Sequence, residues 1–444
     1  MEAYEIDPSL PNESPFDVRR ADFLQVRPEE RYDVVIGNPP YVRWMNIPEE
    51  WREKFRNDSY WSSIMNGLSD LTYAFIYHSV NMLREGGELI FITPVFWTET
   101  VHGRRLREFL AGRGALEVLV NLDESRVFEG VSPYATIIFK YVKGRREGPV
   151  KVVELHARGR LTPAHLAKVR ELLGRLGRGE TYIREGAYEA FLHTQFRGGE
   201  PWRPVPGAVD NPLLSLQLLP PPGLGRVARL GSVAEIGNGM ISGLDEAFQL
   251  GSADGLSQEE VRHVIYVYKA SALDRFYPAR DPVPYIYVDD VKDEDELRAL
   301  YPNFYRRLSR FRDGLLRRYS YGRDLPWWHW AFPRNKRLFE ECEEKVFVPS
   351  KERYDSRGYF RFAYVRGRYY ATQDVTAVCP RPSLREGAKY LVALLNSGPY
   401  QEYIRYRGFT RGGVYDFSER PLAEIPIIRV DWNDGDERRL YAEI

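Results

Sequence analysis

Residues Asn38 to Tyr41, Asn-Pro-Pro-Tyr, have the types and order needed for chemistry on a planar amino group. The Asn38 side-chain oxygen and the Pro39 carbonyl can together accept both hydrogens of one exocyclic amino group. The nitrogen lone pair then leaves conjugation and points at an electrophile, while the Tyr41 ring offers a planar base a stacking face. Two prolines fix φ and stiffen the turn. An ordinary strand-end turn uses similar residues, so the context has to decide.

The residues around the turn predict an α/β fold. Val34, Val35 and Ile36 form a short apolar run, which indicates a buried strand of a parallel sheet. The turn would then leave the carboxyl end of that strand, where open α/β sheets bind ligands. The following pattern predicts helices over 70–84 and 102–113, a strand over 88–93, and an antiparallel strand pair over 116–121 and 135–142.

Five further segments, in this order, resemble the gamma-class N6-adenine DNA methyltransferases, in particular the TaqI-like family. These segments are Tyr4–Pro8, Ala21–Leu24, Asp70–Phe75, Leu83–Pro94 and Val127–Gly130, the last preceding the strand 135–141. The resemblance implies a Rossmann-like class I methyltransferase sheet. It also implies S-adenosyl-L-methionine as cofactor and an adenine of double-stranded DNA as target.

The resemblance assigns roles to individual residues. Glu5 would hold the ribose hydroxyls of the cofactor, Asp22 would accept from its adenine amino group, and Phe23 would pack on that ring. Asn38 would border the cofactor as well as the target, and Phe128 would stack on the flipped adenine opposite Tyr41. This chemistry needs neither a metal nor a covalent enzyme intermediate, because positioning and electrostatics supply the rate.

The resemblance also implies that the start of this sequence lacks one segment of the family's fold. The family places a strand and a glycine-rich loop before the Glu5 segment, whereas here Met1 lies four residues before Glu5. We therefore expect an incomplete sheet that lacks its first strand, with unpaired backbone groups beside the strand ending at Asn38. A separate chain could supply the missing strand and loop. A truncated reading frame and a non-functional domain are the alternatives.

Composition shifts divide the chain into three regions. We expect an N-terminally incomplete catalytic domain over 1–150, then a helical connector and a Gly/Pro linker over 151–225. Thr162 and Pro163 predict the start of the connector helix, as an N-cap followed by proline. Residues 226–444 loosely resemble the TaqI-like specificity domain and would form a mixed α/β target-recognition domain.

A basic and aromatic tract in the third region predicts DNA contacts. Residues 301–340 hold ten Arg or Lys against three acidic residues, a mixture that suits phosphate binding. The candidates there are Arg306, Arg307, Arg310, Arg317, Arg318, Arg334, Lys336 and Arg337, interleaved with Tyr319, Tyr321, Trp327, Trp328 and Trp330. A second candidate group is Arg405, Arg407 and Arg411. A solvated helix face and a charged surface loop are the alternatives.

The overall composition excludes several classes. Positive and negative side chains balance at 63 each, so only local clusters can favour nucleic acid. The two cysteines, without a CxxC pair, argue against a multi-cysteine zinc site and a disulfide scaffold. No apolar run approaches the roughly 18 residues of a membrane span, and no signal peptide opens the chain, which predicts a cytoplasmic protein.

These observations predict a site-specific adenine DNA methyltransferase, or a subunit of one, within a restriction-modification system. One alternative is a catalytically incomplete specificity subunit that binds DNA without methylating it. Another is a protein glutamine methyltransferase, which uses the same Asn-Pro-Pro-Tyr turn. The long second half of the chain, with its basic aromatic tract, disfavours the latter.

Overall fold

The computed structural model describes residues 2–5, 17–27, 29, 32–123, 125–127, 135–157, 159–207, 213–214, 226–354, 357–411 and 413–444. The side chains of residues 2–5, 17, 18, 20 and 411 lie outside the described part. The chain forms two compact units, residues 1–210 and 211–444.

Unit 1 is built on a mixed seven-stranded sheet. The strands of unit 1 as a whole, in chain order, are β1 Glu2–Glu5, β2 Asp17–Arg20, β3 Tyr32–Gly37, β4 Leu83–Pro94, β5 Gly114–Asn121, β6 Ser125–Arg126, β7 Thr136–Lys143, β8 Val150–Leu155, β9 Gly159–Arg160, β10 Tyr182–Glu185 and β11 Tyr188–His193. The sheet has the order β10-β11-β8-β5-β7-β4-β3, and two separate two-stranded parallel sheets pair β1 with β2 and β6 with β9. In the large sheet, β3 is parallel to β4, and β7 runs antiparallel to both β4 and β5.

The helices of unit 1 follow local sequence signals. They are α1 Glu49–Asn57, α2 Ser59–Ser62, α3 Leu71–Met82, α4 Phe96–Glu99, α5 Arg104–Arg113 and α6 Pro163–Arg175. Asp70 caps α3 by accepting from the Thr72 amide, and Thr162 caps α6 in a reciprocal capping box with His165. These elements confirm the predicted helices at 70–84 and after Thr162, and the antiparallel pair β5 and β7.

The two faces of the sheet are covered by different helices. On one face, Tyr73, Ala74 and Ile76 of α3 belong to a core cluster with Leu89 and Phe91 of β4. On the opposite face, α6 packs over the far end of the sheet, with the side chains Val169, Leu172, Val153, Leu155 and Ala190.

Two expectations about unit 1 are corrected. The region after residue 150 is not only a connector: β8 pairs with β5, and β11 pairs with β8, so the sheet continues through residue 193. The apolar run in β3 is a strand parallel to β4, as predicted, but it is not buried. Val34 is 51% exposed and Ile36 is 72% exposed, because β3 is the last strand of the seven.

Unit 2 combines several small sheets with short helices. Its strands are β12 Val227–Arg229, β13 Ala234–Asn238, β14 Val264–Tyr268, β15 Val283–Ile286, β16 Glu344–Pro349, β17 Lys351–Glu352, β18 Ala363–Arg366, β19 Tyr370–Ala371, β20 Val375–Pro380, β21 Thr410–Arg411, β22 Val414–Asp416 and β23 Pro426–Ile428. Its helices are α7 Leu230–Val233, α8 Asp245–Phe248, α9 Gln258–Arg262, α10 Glu294–Leu300, α11 Pro302–Ser309, α12 Arg312–Arg317, α13 Lys336–Glu341, α14 Gly387–Asn396, α15 Gly398–Arg407, α16 Glu419–Ala423 and α17 Gly435–Ala442. The largest sheet has the order β13-β20-β16-β18.

A disulfide joins Cys342 to Cys379 in unit 2, with the Cα atoms 6.1 Å apart. The cysteine count argued against a disulfide scaffold, and this single bridge is a feature that it did not predict. The end of α13 and strand β20 are brought together by the fold, which spacing along the sequence does not reveal. Within the described part of the chain, no helix has the length and apolar character to cross a membrane.

Candidate active site

The Asn-Pro-Pro-Tyr turn leaves the carboxyl end of β3, as the sequence predicts, and it is tied down from two sides. The single hydrogen of the Tyr41 hydroxyl is shared by two acceptors, the Asn38 Oδ1 at 2.8 Å and the carbonyl of Ile92, in β4, at 3.1 Å. Asn38 is exposed and Pro39 is buried. The structure therefore presents the Asn38 amide to solvent on a turn that is anchored to the neighbouring strand.

Helix α3 supplies the second anchor. The single hydrogen of the Thr72 hydroxyl is shared by two acceptors, the Pro40 carbonyl at 3.1 Å and the Asp70 Oδ1 at 2.8 Å. Burial raises the pKa of the Asp70 carboxyl, against the hydrogen bonds that lower it. Burial, followed by the negative charge of Asp70, raises the pKa of the Tyr41 hydroxyl to about 12. Tyr41 consequently stays a neutral hydrogen-bond donor at physiological pH.

The predicted cofactor residues Asp22 and Phe23 lie beside α3, where the Phe23 ring contacts two side chains of that helix. The Phe23 ring stacks on Phe75 at 5.8 Å and meets the edge of His78 at 5.0 Å between centroids. Phe75 follows Thr72 by three residues, which is about 4.5 Å along a helix axis. Helix α3 thus connects the predicted cofactor turn with the Asn-Pro-Pro-Tyr turn, although their residues are far apart in sequence.

The Asp22 carboxylate caps a short 3₁₀ turn, Phe23–Gln25. Its Oδ1 accepts from the Leu24 amide at 3.0 Å, and its Oδ2 lies 3.4 Å from Gln25 Nε2. Each carboxylate oxygen has two lone pairs, so acceptor capacity remains for a ligand. Burial lowers the pKa of the neighbouring His78 to about 4, which leaves that ring neutral beside Phe23.

Two predicted site residues lie wholly or partly outside the described part of the chain. Glu5 lies in β1, but its side chain is outside the described part of the chain, and Phe128 is outside it altogether. Sequence reasoning in turn missed two anchors of the turn, the Thr72 hydroxyl and the Ile92 carbonyl. The Asp70-x-Thr72 cap was a visible signal for the first; the backbone carbonyl left none.

The described site can orient a planar amino group. Asn38 Oδ1 uses one lone pair for Tyr41 and keeps the other, and the amide of Asn38 is fixed in direction by this bond. Beside it, the strand end carries the Pro39 carbonyl. A rigid pair of acceptors next to an aromatic ring is suited to hold an amine for nucleophilic attack.

In unit 2, several candidate DNA contacts also serve the fold. Arg307 donates to the carbonyls of Glu246 and Ala247, and Arg334 donates to the carbonyl of Gly239. Arg318 donates to the Ser242 and His329 carbonyls, and burial lowers its pKa to about 10.

The other candidates lie closer to solvent. Those in the tract are Arg306, Arg310 and Arg317, which are exposed, Arg337, which is exposed and pairs with Glu341, and Lys336, which pairs with Asp289 and is half-buried. Arg405 and Arg407 end α15 half-buried, and the Arg411 side chain is outside the described part.

The prediction that the aromatic side chains of that tract lie on a DNA-binding surface is wrong for the tryptophans. Trp327, Trp328 and Trp330 are each at most 6% exposed and belong to the core of unit 2. Tyr319 and Tyr321 are 74% and 42% exposed. Of the five aromatic side chains singled out in this tract, Tyr319 and Tyr321 are exposed, whereas the three tryptophans pack in the core of the unit.

The known proteins that this chain resembles are methyltransferases and other restriction-modification enzymes. The model of the Eco57I restriction-modification methylase family matches residues 8–128. The Type II methyltransferase M.HindII of Haemophilus influenzae is 36% identical over 454 residues, covering all of this chain and 83% of the relative. M.HincII, also from Haemophilus influenzae, is 33% identical over 444 residues with the same coverage. Among solved structures, the Type IIL restriction-modification enzyme MmeI in complex with DNA shares the fold, with a TM-score of 0.52 at 11% identity, over 94% of this chain and 50% of that chain.

Proposed function

The chain belongs to the Type II methyltransferases of restriction-modification systems, and we propose that it methylates the exocyclic N6 of an adenine in duplex DNA. The observation that carries this proposal is the anchored Asn-Pro-Pro-Tyr turn. Its acceptors match an amino group with two hydrogens, and its ring matches a planar base. A ring carbon, the target of other DNA methyltransferases, offers no such donors.

The target adenine has to leave the duplex, because its amino group is paired inside the stack. In the proposed complex, Tyr41 and Phe128 hold the base between them. Asn38 Oδ1 and the Pro39 carbonyl accept the two amino hydrogens and direct the lone pair of N6. Tyr41 contributes a second effect, since its hydroxyl holds the Asn38 amide in this orientation.

The methyl donor is proposed to be S-adenosyl-L-methionine, which supplies an electrophilic methyl group on a sulfonium. Asp22 would accept from the adenine amino group of this cofactor, Phe23 would pack on its ring, and Glu5 would hold its ribose hydroxyls. The remaining acceptor capacity of Asp22 and the half-buried ring of Phe23 fit these roles. Asn38 would lie between donor and target.

Unit 2 is proposed to recognise the DNA. Its exposed cations Arg306, Arg310, Arg317 and Arg337 are available for phosphates, and the exposed rings of Tyr319 and Tyr321 are available for bases. The eight cations of the tract and the group Arg405, Arg407 and Arg411 stay predictions as DNA contacts.

A methylation assay tests the proposal. Duplex DNA is incubated with S-adenosyl-L-methionine and the chain, with and without the part of M.HindII that the chain does not match, and digested DNA is analysed by mass. We expect N6-methyladenine, its loss in Asn38→Ala, and its retention in the exposed control Asn433→Ala. A different methylated base, or product from Asn38→Ala at the normal rate, would contradict the proposal. DNA binding without product in either reaction would instead identify a specificity subunit.

A further inference from the structure

A pocket of about 740 Å³ lies in unit 1, at the edge of the sheet opposite the Asn-Pro-Pro-Tyr turn. Strand β5 runs in the same direction as β3, because β3 is parallel to β4 and β7 is antiparallel to both β4 and β5. Gly114 and Ala115, at the amino end of β5, line the pocket, whereas Asn38 follows the carboxyl end of β3. The 8 residues of β5 separate the two edges by about 25 Å. The pocket is therefore distinct from the candidate active site.

Hydrogen bonds between separate elements hold the walls of this pocket in place. The Gln195 Nε2 donates to the carbonyl of Leu116, in β5, at 3.2 Å, and to the carbonyl of Gly148, in the turn between β7 and β8. The Gly207 amide donates to the carbonyl of Leu192, in β11, at 2.8 Å. Three strands and the segments beside them thus form one connected wall, and a preformed wall is typical of small-molecule sites.

The charged side chains at the pocket favour an anion. Three arginines and one acidic residue line it, namely Arg145, Arg146, Arg197 and Glu147. Arg145 Nη1 lies 3.5 Å from a carboxylate oxygen of Glu117, which offsets part of its charge. Arg146 and Arg197 are exposed, and within the described part of the chain neither has an ion-pair partner. Because a guanidinium stays charged at any physiological pH, positive charge is in excess here.

Two buried polar atoms of the lining residues add a requirement on the ligand. Within the described residues, Arg145 Nε and Gln195 Oε1 have no hydrogen-bond partner. The first is a donor and the second is an acceptor. Buried polar groups of this kind are normally hydrogen-bonded. A ligand that carries an anionic acceptor together with a hydroxyl or amino donor matches both atoms.

The remaining lining residues include an apolar group, which is Ala111, Ala115, Leu192 and Phe196. Inorganic phosphate would leave these side chains uncovered. The volume of the pocket lies within the range of roughly 300–1,000 Å³ that holds small organic ligands, and a DNA duplex is too broad to enter it. The pocket thus suits a small organic molecule with an anionic end.

We propose that this pocket binds a small phosphorylated organic molecule with the size and chemistry of a nucleotide. Its phosphate lies against Arg146 and Arg197, because guanidinium groups bind phosphate oxygens through charge-assisted hydrogen bonds. A hydroxyl or amino group of the ligand donates to Gln195, and its less polar part covers Phe196. This binding site goes beyond the proposed methylation and does not depend on it.

Calorimetric titration of the chain with AMP and with inorganic phosphate tests the proposal. We expect AMP to bind with a Kd at least about tenfold below that of inorganic phosphate, because only AMP covers the apolar side chains. Arg146→Ala combined with Arg197→Ala should raise the Kd of AMP by about tenfold or more. The matched control is Arg170→Ala combined with Arg178→Ala, which removes two exposed arginines of unit 1 outside the pocket and should leave the Kd unchanged.

Three outcomes of this titration overturn the proposal. They are no binding of AMP by the unaltered chain, equal affinity for AMP and inorganic phosphate, and an equal loss of affinity in the two double variants. The second outcome would show a site for free phosphate only. The third would show a response to net charge and not to the pocket.

Glu147→Gln provides a test with a gain of affinity. Glu147 is the one acidic residue among those that line the pocket, so its neutralisation should lower the Kd of AMP by about twofold or more. The gain should shrink at 1 M salt, where charges are screened within about 3 Å. A higher Kd in this variant would contradict the assignment of an anion to the pocket.

Competition separates this site from the proposed methyltransferase site. Asn38→Ala should bind AMP like the unaltered chain, and excess S-adenosyl-L-methionine should not displace AMP. Displacement by S-adenosyl-L-methionine would mean that AMP occupies the methyl-donor site, which overturns this inference and not the proposed function. Displacement by duplex DNA, with DNA binding lost in the Arg146 and Arg197 double variant, would make the arginines a DNA contact and also overturns it. Absence of methylation leaves the titration result unaffected.

Discussion

Strand β3 and the stretch from Trp327 to Trp330 place their apolar side chains in opposite ways. Ile36 is 72% exposed at the edge of the unit 1 sheet, whereas Trp330 is 2% exposed in unit 2. Trp330 packs against Tyr285 and Tyr287 and donates its indole N–H to the Ile286 carbonyl at 2.9 Å. The core of unit 2 is closed by its own residues. In unit 1, by contrast, the edge strand β3 carries exposed apolar side chains, so the two units differ in how far the described residues cover their own apolar surface.

The largest effect is expected where the core is closed. Trp330→Ala removes a fully packed ring and leaves the Ile286 carbonyl without its donor, so it should lower the free energy of unfolding by about 3–5 kcal/mol. Urea unfolding followed by circular dichroism measures this. The control is Tyr319→Ala, at a side chain 74% exposed, which should change the same quantity by less than about 0.5 kcal/mol. Equal effects would mean that the two aromatic positions do not differ in packing.

The disulfide is a second feature that stabilises unit 2, because both of its cysteines lie in that unit. The disulfide spans 37 residues, and closing a loop of that length restricts the unfolded chain. Reduction should therefore lower the free energy of unfolding of unit 2 by about 3–4 kcal/mol. Urea unfolding with and without reductant tests this, with Cys342→Ser combined with Cys379→Ser as the redox-insensitive control. A reductant effect that persists in the double variant would contradict the assignment.

Local signals in the sequence predicted much of unit 1. The Asp70 and Thr162 caps predicted the starts of α3 and α6, because capping depends on residues within one turn. The position of Asn38 at a strand end followed from the apolar run before it. These features are encoded by neighbours along the chain.

Features that depend on distant residues were not predictable in this way. The sequence around Trp327, Trp328 and Trp330 is the same whether these indoles face DNA or a core. Only the packing of unit 2 determines that they are buried. Cys342 and Cys379 gave no sign of pairing, because the approach of α13 to β20 is a property of the whole sheet. The exposure of Ile36 likewise depends on which strand lies beside β3, and an apolar run alone predicts burial.

Tyr41 is intermediate in exposure between Ile36 and Trp330. Its ring is half-buried, and its hydroxyl is hydrogen-bonded. Tyr41→Phe keeps the ring but removes the bonds to Asn38 and Ile92, so the methylation rate should fall by about tenfold, the equivalent of one hydrogen bond. Tyr41→Ala, which also removes the stacking face, should fall by about 100-fold. Single-turnover rates with saturating DNA measure both. An equal loss in the two variants would show that the hydroxyl does not contribute separately from the ring.

The pH dependence follows from the same residue. A pKa raised to about 12 keeps the Tyr41 hydroxyl protonated at any pH well below that value. The ratio of the unaltered rate to the Tyr41→Phe rate should therefore stay constant between pH 7 and pH 10, about two units below that pKa. A ratio that falls within this range would mean that the hydroxyl loses its proton earlier than its burial and Asp70 allow.

The smallest effect on stability is expected at the exposed face of β3, at Ile36. Ile36→Ala should change the free energy of unfolding of the chain alone by less than about 1 kcal/mol, the size of a strand-propensity difference, because the side chain is already in water. The matched variant Ile76→Ala removes the same atoms from a position that is 0% exposed on α3, and it should cost about 2–5 kcal/mol. Urea unfolding of the two variants side by side gives the comparison. If Ile36→Ala costs as much as Ile76→Ala, the Ile36 side chain is covered in solution, and the difference in packing between the two positions does not hold.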